Sequence, residues 1–233
     1  MACARLRQDV RVDIASFAAL AADRDAPIDV LALAIAAEFR DDVDADAALS
    51  HLDELGEEVA AVRADLDGSD AGIQALREVL GVRHDFHGDE GDPAHYDDPA
   101  NSMLDLVLER RRGLPIALSV LYVATARRAG IALGGVGLPG HYVVRDLAAV
   151  PPVLIDPFAG GVRLEVEPST NVRPWGAHET ALRMLTNLVG SYRRRSDLGR
   201  AIRAAELRLT LPSDRARSRA LRMEWLSLQS QLN

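Results

Sequence analysis

The chain has no lysine and a single cysteine, and both scarcities limit the chemistry available to its 233 residues. Its 27 basic residues are all arginines, so no side-chain amine is available for an isopeptide crosslink of the chain to itself. Cys3 cannot form an intramolecular disulfide, and we expect it to be an incidental thiol in a mobile terminal segment. The same count excludes a zinc site built from several thiolates.

Long apolar runs are also missing. No stretch reaches the roughly 20 apolar residues that a membrane-spanning helix requires, and the opening residues MACARLRQDVRV lack the apolar core of a signal peptide. The formal net charge is −8, and its acidic residues concentrate in segments 41–70 and 85–98, which disfavours extended contact with a nucleic acid backbone. With a hydrophobic fraction of 48%, we expect a cytoplasmic globular protein with no nucleic acid and no membrane as partner.

The N-terminal part of the sequence is predicted to be a bundle of helices. Residues 10–64 are rich in Ala, Leu and Val at helical spacing, and no glycine occurs before Gly56. Asp13 and Asp25 are candidate helix caps, and Pro27 suits a first helical turn. A further helix is predicted from Ala71 to Leu80, ended by Gly81.

Three histidines raise the possibility of a metal site in the segment that follows. His84, His87 and His95 lie close to Asp85, Asp89 and Asp92 in a stretch from His84 to Pro99 where apolar periodicity disappears. Their spacing matches no compact ligand pattern. We therefore favour a solvated loop, and we expect neither a metal nor another cofactor.

The middle of the chain predicts a buried helix followed by a small antiparallel sheet. A helix is expected from Asn101 to Arg110, and a second, apolar almost all round, from Pro115 to the glycine turn at Gly130. Glycine and proline then separate four extended segments near residues 133–138, 141–146, 153–156 and 162–165. Helices return after Trp175 and continue from Ala181 to Gln231, so the fold class is α+β.

Four sequence blocks in fixed order resemble a known family. They are Asn101-Ser102, Arg111-Arg112-Gly113-Leu114-Pro115, Gly137-Leu138-Pro139-Gly140-His141 and Asp156-Pro157-Phe158. The order is similar to that of the transglutaminase-like superfamily, and more narrowly to its SirB-type branch with a tetratricopeptide-like tail. The resemblance implies a papain-like, transglutaminase-like core in residues 83–175, an N-terminal helical region in 1–82 and a tetratricopeptide-like helical tail in 176–233.

The same resemblance implies a site that lacks its nucleophile. In the superfamily pattern a cysteine opens the central helix, and counting back from Gly130 places Pro115 at that position. A pyrrolidine ring carries no nucleophile, so covalent thiol catalysis there is excluded. His141 and Asp156 match the base and the residue that orients it, and we predict a hydrogen bond between them. Taken singly, each could instead be structural, His141 satisfying backbone groups of the sheet and Asp156 serving as a turn residue.

Ser119 is the alternative candidate for the nucleophile. It lies one turn beyond Pro115 on the same helix face, although a helical serine often only bonds the carbonyl four residues earlier. Ser102 is a comparable candidate, and a role as a helix cap is favoured for it.

Pro115, Asn101, Arg112 and Tyr142 are predicted to contribute to binding. The guanidinium of Arg112 suits a carboxylate or phosphate ligand, although an ordinary ion pair with Glu109 or a nearby aspartate is the favoured interpretation. The aromatic ring of Tyr142 is expected to line or floor the cleft beside His141.

Two function classes follow, and a third is left open. The favoured prediction is a pseudoenzyme, not a cysteine-dependent transglutaminase or protease, that binds a peptide or protein in the cleft, with the helical tail extending the surface. The alternative is a hydrolase or acyltransferase, protease-like or amidase-like, that uses His141 and Asp156 with Ser119 or an activated water. A pure assembly scaffold is the third possibility.

Overall fold

A computed structural model describes residues 16–88, 97–165 and 172–232 of the chain. Asp13, Cys3, His95, Asp89 and Asp92, which the sequence analysis named, lie outside these ranges. The described helices are α1 (Phe17–Ala22), α2 (Ile28–Ala37), α3 (Ala45–Ala64), α4 (Ala71–Leu76), α5 (Leu104–Arg110), α6 (Pro115–Arg128), α7 (Ala177–Arg194), α8 (Leu198–Arg208) and α9 (Arg215–Gln229). The strands are β1 (Leu133–Leu138), β2 (His141–Asp146), β3 (Val153–Asp156) and β4 (Val162–Leu164).

The four strands form one antiparallel sheet in the order β1-β2-β3-β4. A tight turn joins β1 to β2, with Leu138 opposite His141 and Gly140 at φ 72°, a left-handed conformation that glycine adopts without strain. The predicted α+β class, the small antiparallel sheet and its four segments are confirmed. The sheet places the start of β2 and the end of β3 next to each other.

Helix α6 is the centre of the core. Pro115 occupies its first turn, where a missing N–H is no loss, and eleven of its residues are buried. The helix packs against β1 and β2 on one side and against α2, α3 and α5 on others. Tyr122, in the middle of α6, is fully buried. An all-round apolar helix is the expected occupant of such a position.

Two arginines secure the carboxyl end of α6. Arg128 Nη1 lies 2.7 Å and Arg127 Nη2 3.0 Å from Oδ2 of Asp29, a fully buried carboxylate in the first turn of α2. Basic residues in the last turn of α6 and an acidic residue in the first turn of α2 also suit the dipoles of both helices. The pair of contacts fixes the N-terminal helices on the central one.

The helix predicted to end at Gly81 continues through it. The chain passes from α4 into a π-helical segment, Arg77–Arg83, so that the prediction of a glycine stop is wrong. Gly81 is required for packing instead, because a Cβ atom there would lie 2.0 Å from the carbonyl oxygen of Gly160. A position that looks like a stop in the sequence is a site of close backbone approach in the fold.

The helix predicted from Asn101 to Arg110 is interrupted. A 3-10 turn, Pro99–Ser102, is followed by Met103 in an extended conformation, and only then does α5 begin. Ser102 therefore does not cap a helix, and that prediction is wrong. Its side chain is 1% exposed, and its hydroxyl has no hydrogen-bond partner within the described part of the chain.

The N-cap position of α2 is held by Pro27, and its N-terminus has no side-chain cap. The candidate Asp25 only donates its backbone N–H to Asp23 Oδ1, at 3.0 Å, so its prediction as a cap is wrong. The first helical turn of α2 begins directly after the proline, one position later than expected.

The tail forms three helices, α7, α8 and α9. Helix α7 packs on α2 and α8, and α8 packs in turn on α9. Tyr192 of α7 contacts Phe39 near the end of α2, with ring centroids 5.3 Å apart. None of the helices in the described ranges is both long and apolar enough to cross a membrane.

Candidate functional site

His141 and Asp156 meet at one end of the sheet. His141 opens β2 directly after the Gly140 turn, and Asp156 closes β3 in front of Pro157. Because β2 and β3 are antiparallel neighbours, the two side chains come together, with His141 Nε2 2.8 Å from Asp156 Oδ2. The predicted hydrogen bond is therefore present. The aspartate side chain is 12% exposed and the histidine side chain 31% exposed, so one is anchored and the other reaches the surface.

The carboxylate determines which nitrogen of the ring carries a proton. Asp156 Oδ1 accepts the backbone N–H of Phe158 at 2.9 Å, which leaves Oδ2 for the ring. An ionised carboxylate only accepts hydrogen bonds, so Nε2 of His141 is the donor and Nδ1 is the acceptor of the neutral ring. Among the described residues, Nδ1 has no hydrogen-bond partner. The Phe158 ring packs edge-on against the imidazole at 6.2 Å.

A cleft of about 180 Å³ opens beside His141, at the start of α6. Pro115 is part of its wall, and the preceding Leu114 supplies no side-chain cap to the helix. The first turn of a helix exposes backbone N–H groups without intrahelical partners. The lining consists of Asp97, Leu114, Pro115, Ile116, Gly140, His141, Tyr142, Arg183, Thr186, Asn187, Gly190, Ser191 and Arg194.

Ser119 lies away from this cleft. It is fully buried, and its Oγ donates to the carbonyl oxygen of Tyr142 at 3.4 Å rather than to the carbonyl four residues earlier. It lines a second cavity, of about 270 Å³, together with Trp175 and Thr180. From the sequence, Ser119 was placed one turn beyond Pro115 on the same helix face. In the structure that turn puts its hydroxyl against the backbone of β2 and outside the lining of the cleft.

Tyr142 forms the partition between the two cavities. The residue is 3% exposed, its hydroxyl lies 2.8 Å from Thr180 Oγ1, and its ring packs edge-on against Trp175 at 5.7 Å. Burial raises the pKa of the Tyr142 hydroxyl to about 12, so it stays neutral at physiological pH. The residue lines the cleft, while its hydroxyl group points to the second cavity, towards Thr180.

Two further predicted binding residues lie outside the lining of the cleft. Arg112 Nη2 is 2.9 Å from Asp85 Oδ2 and its Nη1 2.7 Å from the Asp85 carbonyl, which is the favoured ion pair with a nearby aspartate. The carbonyl of Asn101 accepts the N–H of Leu114 at 2.8 Å. Asn101 thus holds the residue that precedes α6, and it supports the site from behind.

The two histidines of the predicted loop that the structure describes each lie beside one carboxylate. His84 Nε2 lies 2.6 Å from Glu58 Oε2, and this hydrogen bond holds the pKa of Glu58 below its usual value. His87 Nε2 lies 3.5 Å from Asp85 Oδ1. Within the described ranges, no three histidine, cysteine, aspartate or glutamate side chains gather closely enough to hold a metal ion.

The wall contributed by α7 was not found from the sequence. Arg183, Asn187, Gly190 and Arg194 recur every three or four residues along that helix, so they share one face. Arg194 forms a two-pronged ion pair with Asp97, Nε to Oδ2 at 2.7 Å and Nη2 to Oδ1 at 2.6 Å. The polar stripe is visible in the sequence, but what it faces depends on tertiary packing.

Comparison with known proteins places this architecture in a family. A model described as the transglutaminase-like superfamily matches residues 46–175. A UPF0162 protein of Xylella fastidiosa (strain 9a5c) is 38% identical over 143 residues, which are 53% of this chain and 51% of that protein. A UPF0162 protein of Pseudomonas aeruginosa is 34% identical over 131 residues, 55% of this chain and 46% of the relative.

A more distant similarity links the chain to F-box only protein 21 of Mus musculus, 32% identical over 103 residues, 41% of this chain and 16% of that protein. The chain therefore spans about half the length, or less, of these curated relatives. No solved structure gives a significant match. Because the matched region covers more than half of the chain and contains α6, His141 and Asp156, the chain belongs to the transglutaminase-like superfamily.

Proposed function

We propose that this protein is a non-catalytic member of the superfamily that binds a peptide segment of a partner protein in the cleft beside His141. The observation that carries the proposal is Pro115, which stands at the first position of α6, where the superfamily pattern has its cysteine. The ring of proline cannot attack a carbonyl carbon, so the acyl transfer that a thiolate performs has no nucleophile at this position.

The size of the cleft supports a peptide rather than a whole small molecule. Its volume is about 180 Å³, below the roughly 300–1,000 Å³ typical of small-molecule pockets. Its lining combines apolar side chains, such as that of Ile116, with polar side chains that can form hydrogen bonds, such as those of His141 and Asn187. Such a cleft suits one or two side chains of an extended segment.

The finer family assignment belongs to the same proposal. We assign the chain to the SirB-type branch, with the three-part division at residues 82 and 175 and with α7 and α8 as a tetratricopeptide-like helix pair. One such pair cannot bury its own apolar face, and α7 packs on α2 and α6. The tail thereby extends the binding surface beyond the cleft.

A random peptide display library, selected on the purified protein, tests the proposal. Asn187→Trp places an indole in the cleft and should weaken the selected peptides at least tenfold, whereas Ala220→Trp, on the exposed side of α9, should leave them unchanged. His141→Ala should weaken binding less than Asn187→Trp. Selected peptides that bind all three variants like the parent protein would refute the proposal.

The alternative function is a hydrolase or acyltransferase in which His141 activates a water. It is favoured by one observation, the unpartnered Nδ1 of a ring that Asp156 already orients. Ser119 is a less suitable nucleophile, because its hydroxyl is fully buried and bonded to the Tyr142 carbonyl. A panel of amide and ester substrates tests the alternative. Turnover that disappears in His141→Ala would support it, and turnover at the background rate with the parent protein would reject it.

Labelling with a fluorophosphonate distinguishes Ser119 from an activated water as the nucleophile. Labelling that is lost in Ser119→Ala would assign the reaction to that serine, whereas labelling that persists in Ser119→Ala would exclude it. The parent protein and Ser119→Ala have to be compared at equal folded fraction, since Ser119 lies in the core.

A further inference from the structure

The charge of the chain is divided between its two parts. Residues 176–233 contain eleven arginines and five acidic residues, a formal charge of +6. The whole chain carries −8, so the preceding residues carry −14. Helices α7 to α9 thus form a basic unit on an acidic protein, and one wall of the cleft belongs to this unit.

The cleft continues along α7 into a neighbouring cavity. This second space, of about 550 Å³, shares Gly190 and Arg194 with the cleft and is lined in addition by Arg193, Ser196, Leu198 and Gln231. We call the two spaces together the α7 groove. The continuation is about three times as large as the cleft, so the groove offers an extended chain more room than the cleft alone.

Two cations of the α7 groove have no carboxylate of their own. Arg183 is half-buried in the cleft wall and Arg193 is exposed in the continuation, and neither forms an ion pair within the described ranges. Arg194 differs from them, because both oxygens of Asp97 accept hydrogen bonds from its guanidinium. His141, the other side chain of the lining that can carry a positive charge, already has Asp156 as its partner. The lining therefore has an excess of positive charge, located at Arg183 and Arg193.

We infer that the α7 groove binds an acidic peptide segment, with two carboxylates paired to Arg183 and Arg193. The inference rests on the proposed peptide-binding function and names its ligand class. Ten residues of α-helix separate the two arginines, about 15 Å along the axis. An extended peptide advances about 3.3 Å per residue, so the two acidic side chains should lie four or five residues apart.

Fluorescein-labelled decapeptides of the repeats Glu-Ala, Gln-Ala and Lys-Ala test the inference by fluorescence anisotropy. The Glu-Ala peptide should bind at least tenfold more tightly than the other two, and its affinity should fall as salt is raised. Arg183→Gln and Arg193→Gln should each weaken it several-fold. Arg219→Gln removes the same charge from an exposed position of α9 outside the groove lining and should leave affinity unchanged. Thermal melts confirm that the variants remain folded.

Equal binding of the Glu-Ala and Gln-Ala peptides would overturn the inference, and so would an Arg183→Gln protein with parental affinity. In either case peptides that still depend on Asn187 leave the proposed function intact. If no decapeptide binds, display selection decides: peptides enriched in Asp or Glu at four- or five-residue spacing support the inference, and peptides without that enrichment overturn it. A thymidine oligonucleotide that binds more tightly through Arg183 would also overturn it, because the groove would then serve phosphates.

Discussion

Placing a thiol at the position of Pro115 is the most direct test of how this site is built. The substitution is Pro115→Cys in a Cys3→Ser background, so that the new thiol is the single cysteine of the chain. It would lie in the first turn of α6, next to exposed backbone N–H groups and in the same cleft as His141. A helix N-terminus and an imidazolium both stabilise a thiolate.

The expected rate follows from the pKa of the new thiol. An ordinary cysteine, with a pKa of about 8.5, is roughly 3% ionised at pH 7, whereas a thiol with a pKa of about 7 is roughly 50% ionised. The lower basicity makes each thiolate about fivefold less nucleophilic, since the Brønsted coefficient is about 0.4–0.5. Reaction with a small aromatic disulfide at pH 7 should therefore be only about threefold faster than for an ordinary thiol. The larger effect is in the pH profile, whose midpoint should move from about 8.5 to about 7.

The assay is the absorbance of the released thiolate between pH 5 and 10, with Ala220→Cys in the same background as the exposed control. Adding His141→Ala to Pro115→Cys should move the midpoint of the pH profile only part of the way back towards about 8.5, because the helix N-terminus still stabilises the thiolate. Loss of the proline should cost about 0.4–1 kcal/mol of stability, measured separately by urea unfolding. A Pro115→Cys midpoint equal to that of the control, and unchanged by His141→Ala, would refute the placement of Pro115 at a nucleophile position.

Three further predictions concern stability. Gly81→Ala would bring a Cβ atom 2.0 Å from a backbone carbonyl oxygen and should lower the free energy of unfolding by about 2 kcal/mol or more. Gly199→Ala is the control, because its Cβ would meet only Asp197 Oδ1 at 3.9 Å, an ordinary contact, and it should be neutral or stabilising in the same urea titration. Asp29→Asn should lower the free energy of unfolding by about 2–3 kcal/mol. The loss is smaller than that expected for a fully buried ion pair, because the Arg127 side chain is 52% exposed, and a loss below about 1 kcal/mol would contradict this. The hydrogen bond from His84 lowers the pKa of Glu58, so it stabilises the fold above the unfolded-state pKa and loses this effect as pH falls through the folded-state pKa. The difference in unfolding free energy between the parent and Glu58→Gln, about 0.5–1 kcal/mol at neutral pH, should therefore shrink steadily on acidification, and a difference that stayed constant or grew would contradict this.

The sheet and the central helix could be predicted because local signals agree with the tertiary structure. Glycine and proline punctuate the strands, and Pro115 and Gly130 mark the ends of α6. The contact of His141 with Asp156 followed from the superfamily order, since antiparallel neighbours bring the start of one strand to the end of the next. These features depend on a few residues close to the site.

The features that were missed depend on long-range packing. Gly81 reads as a helix stop, but the carbonyl that approaches it comes from Gly160, far along the chain. The break at Met103 has no glycine or proline of its own to announce it. Arg183 and Arg194 face the cleft only because α7 lies across the start of α6, and no local pattern specifies that crossing.

The retention of His141 and Asp156 without a nucleophile has a structural explanation that can be measured. At the end of β3, Asp156 accepts hydrogen bonds from the backbone N–H of Phe158 and from His141. The carbonyl of Phe158 in turn accepts the N–H of Gly88 at 2.8 Å. The pair thus stabilises the turn after β3 and its contact with the segment that ends at Gly88. Loss of a largely buried carboxylate with two hydrogen bonds should cost about 2–3 kcal/mol in Asp156→Ala, against about 1 kcal/mol for the more exposed ring in His141→Ala. Urea unfolding measures both. If each variant costs less than about 0.5 kcal/mol, the pair contributes little to the fold, and its presence would then favour the water-activating hydrolase over the binding protein.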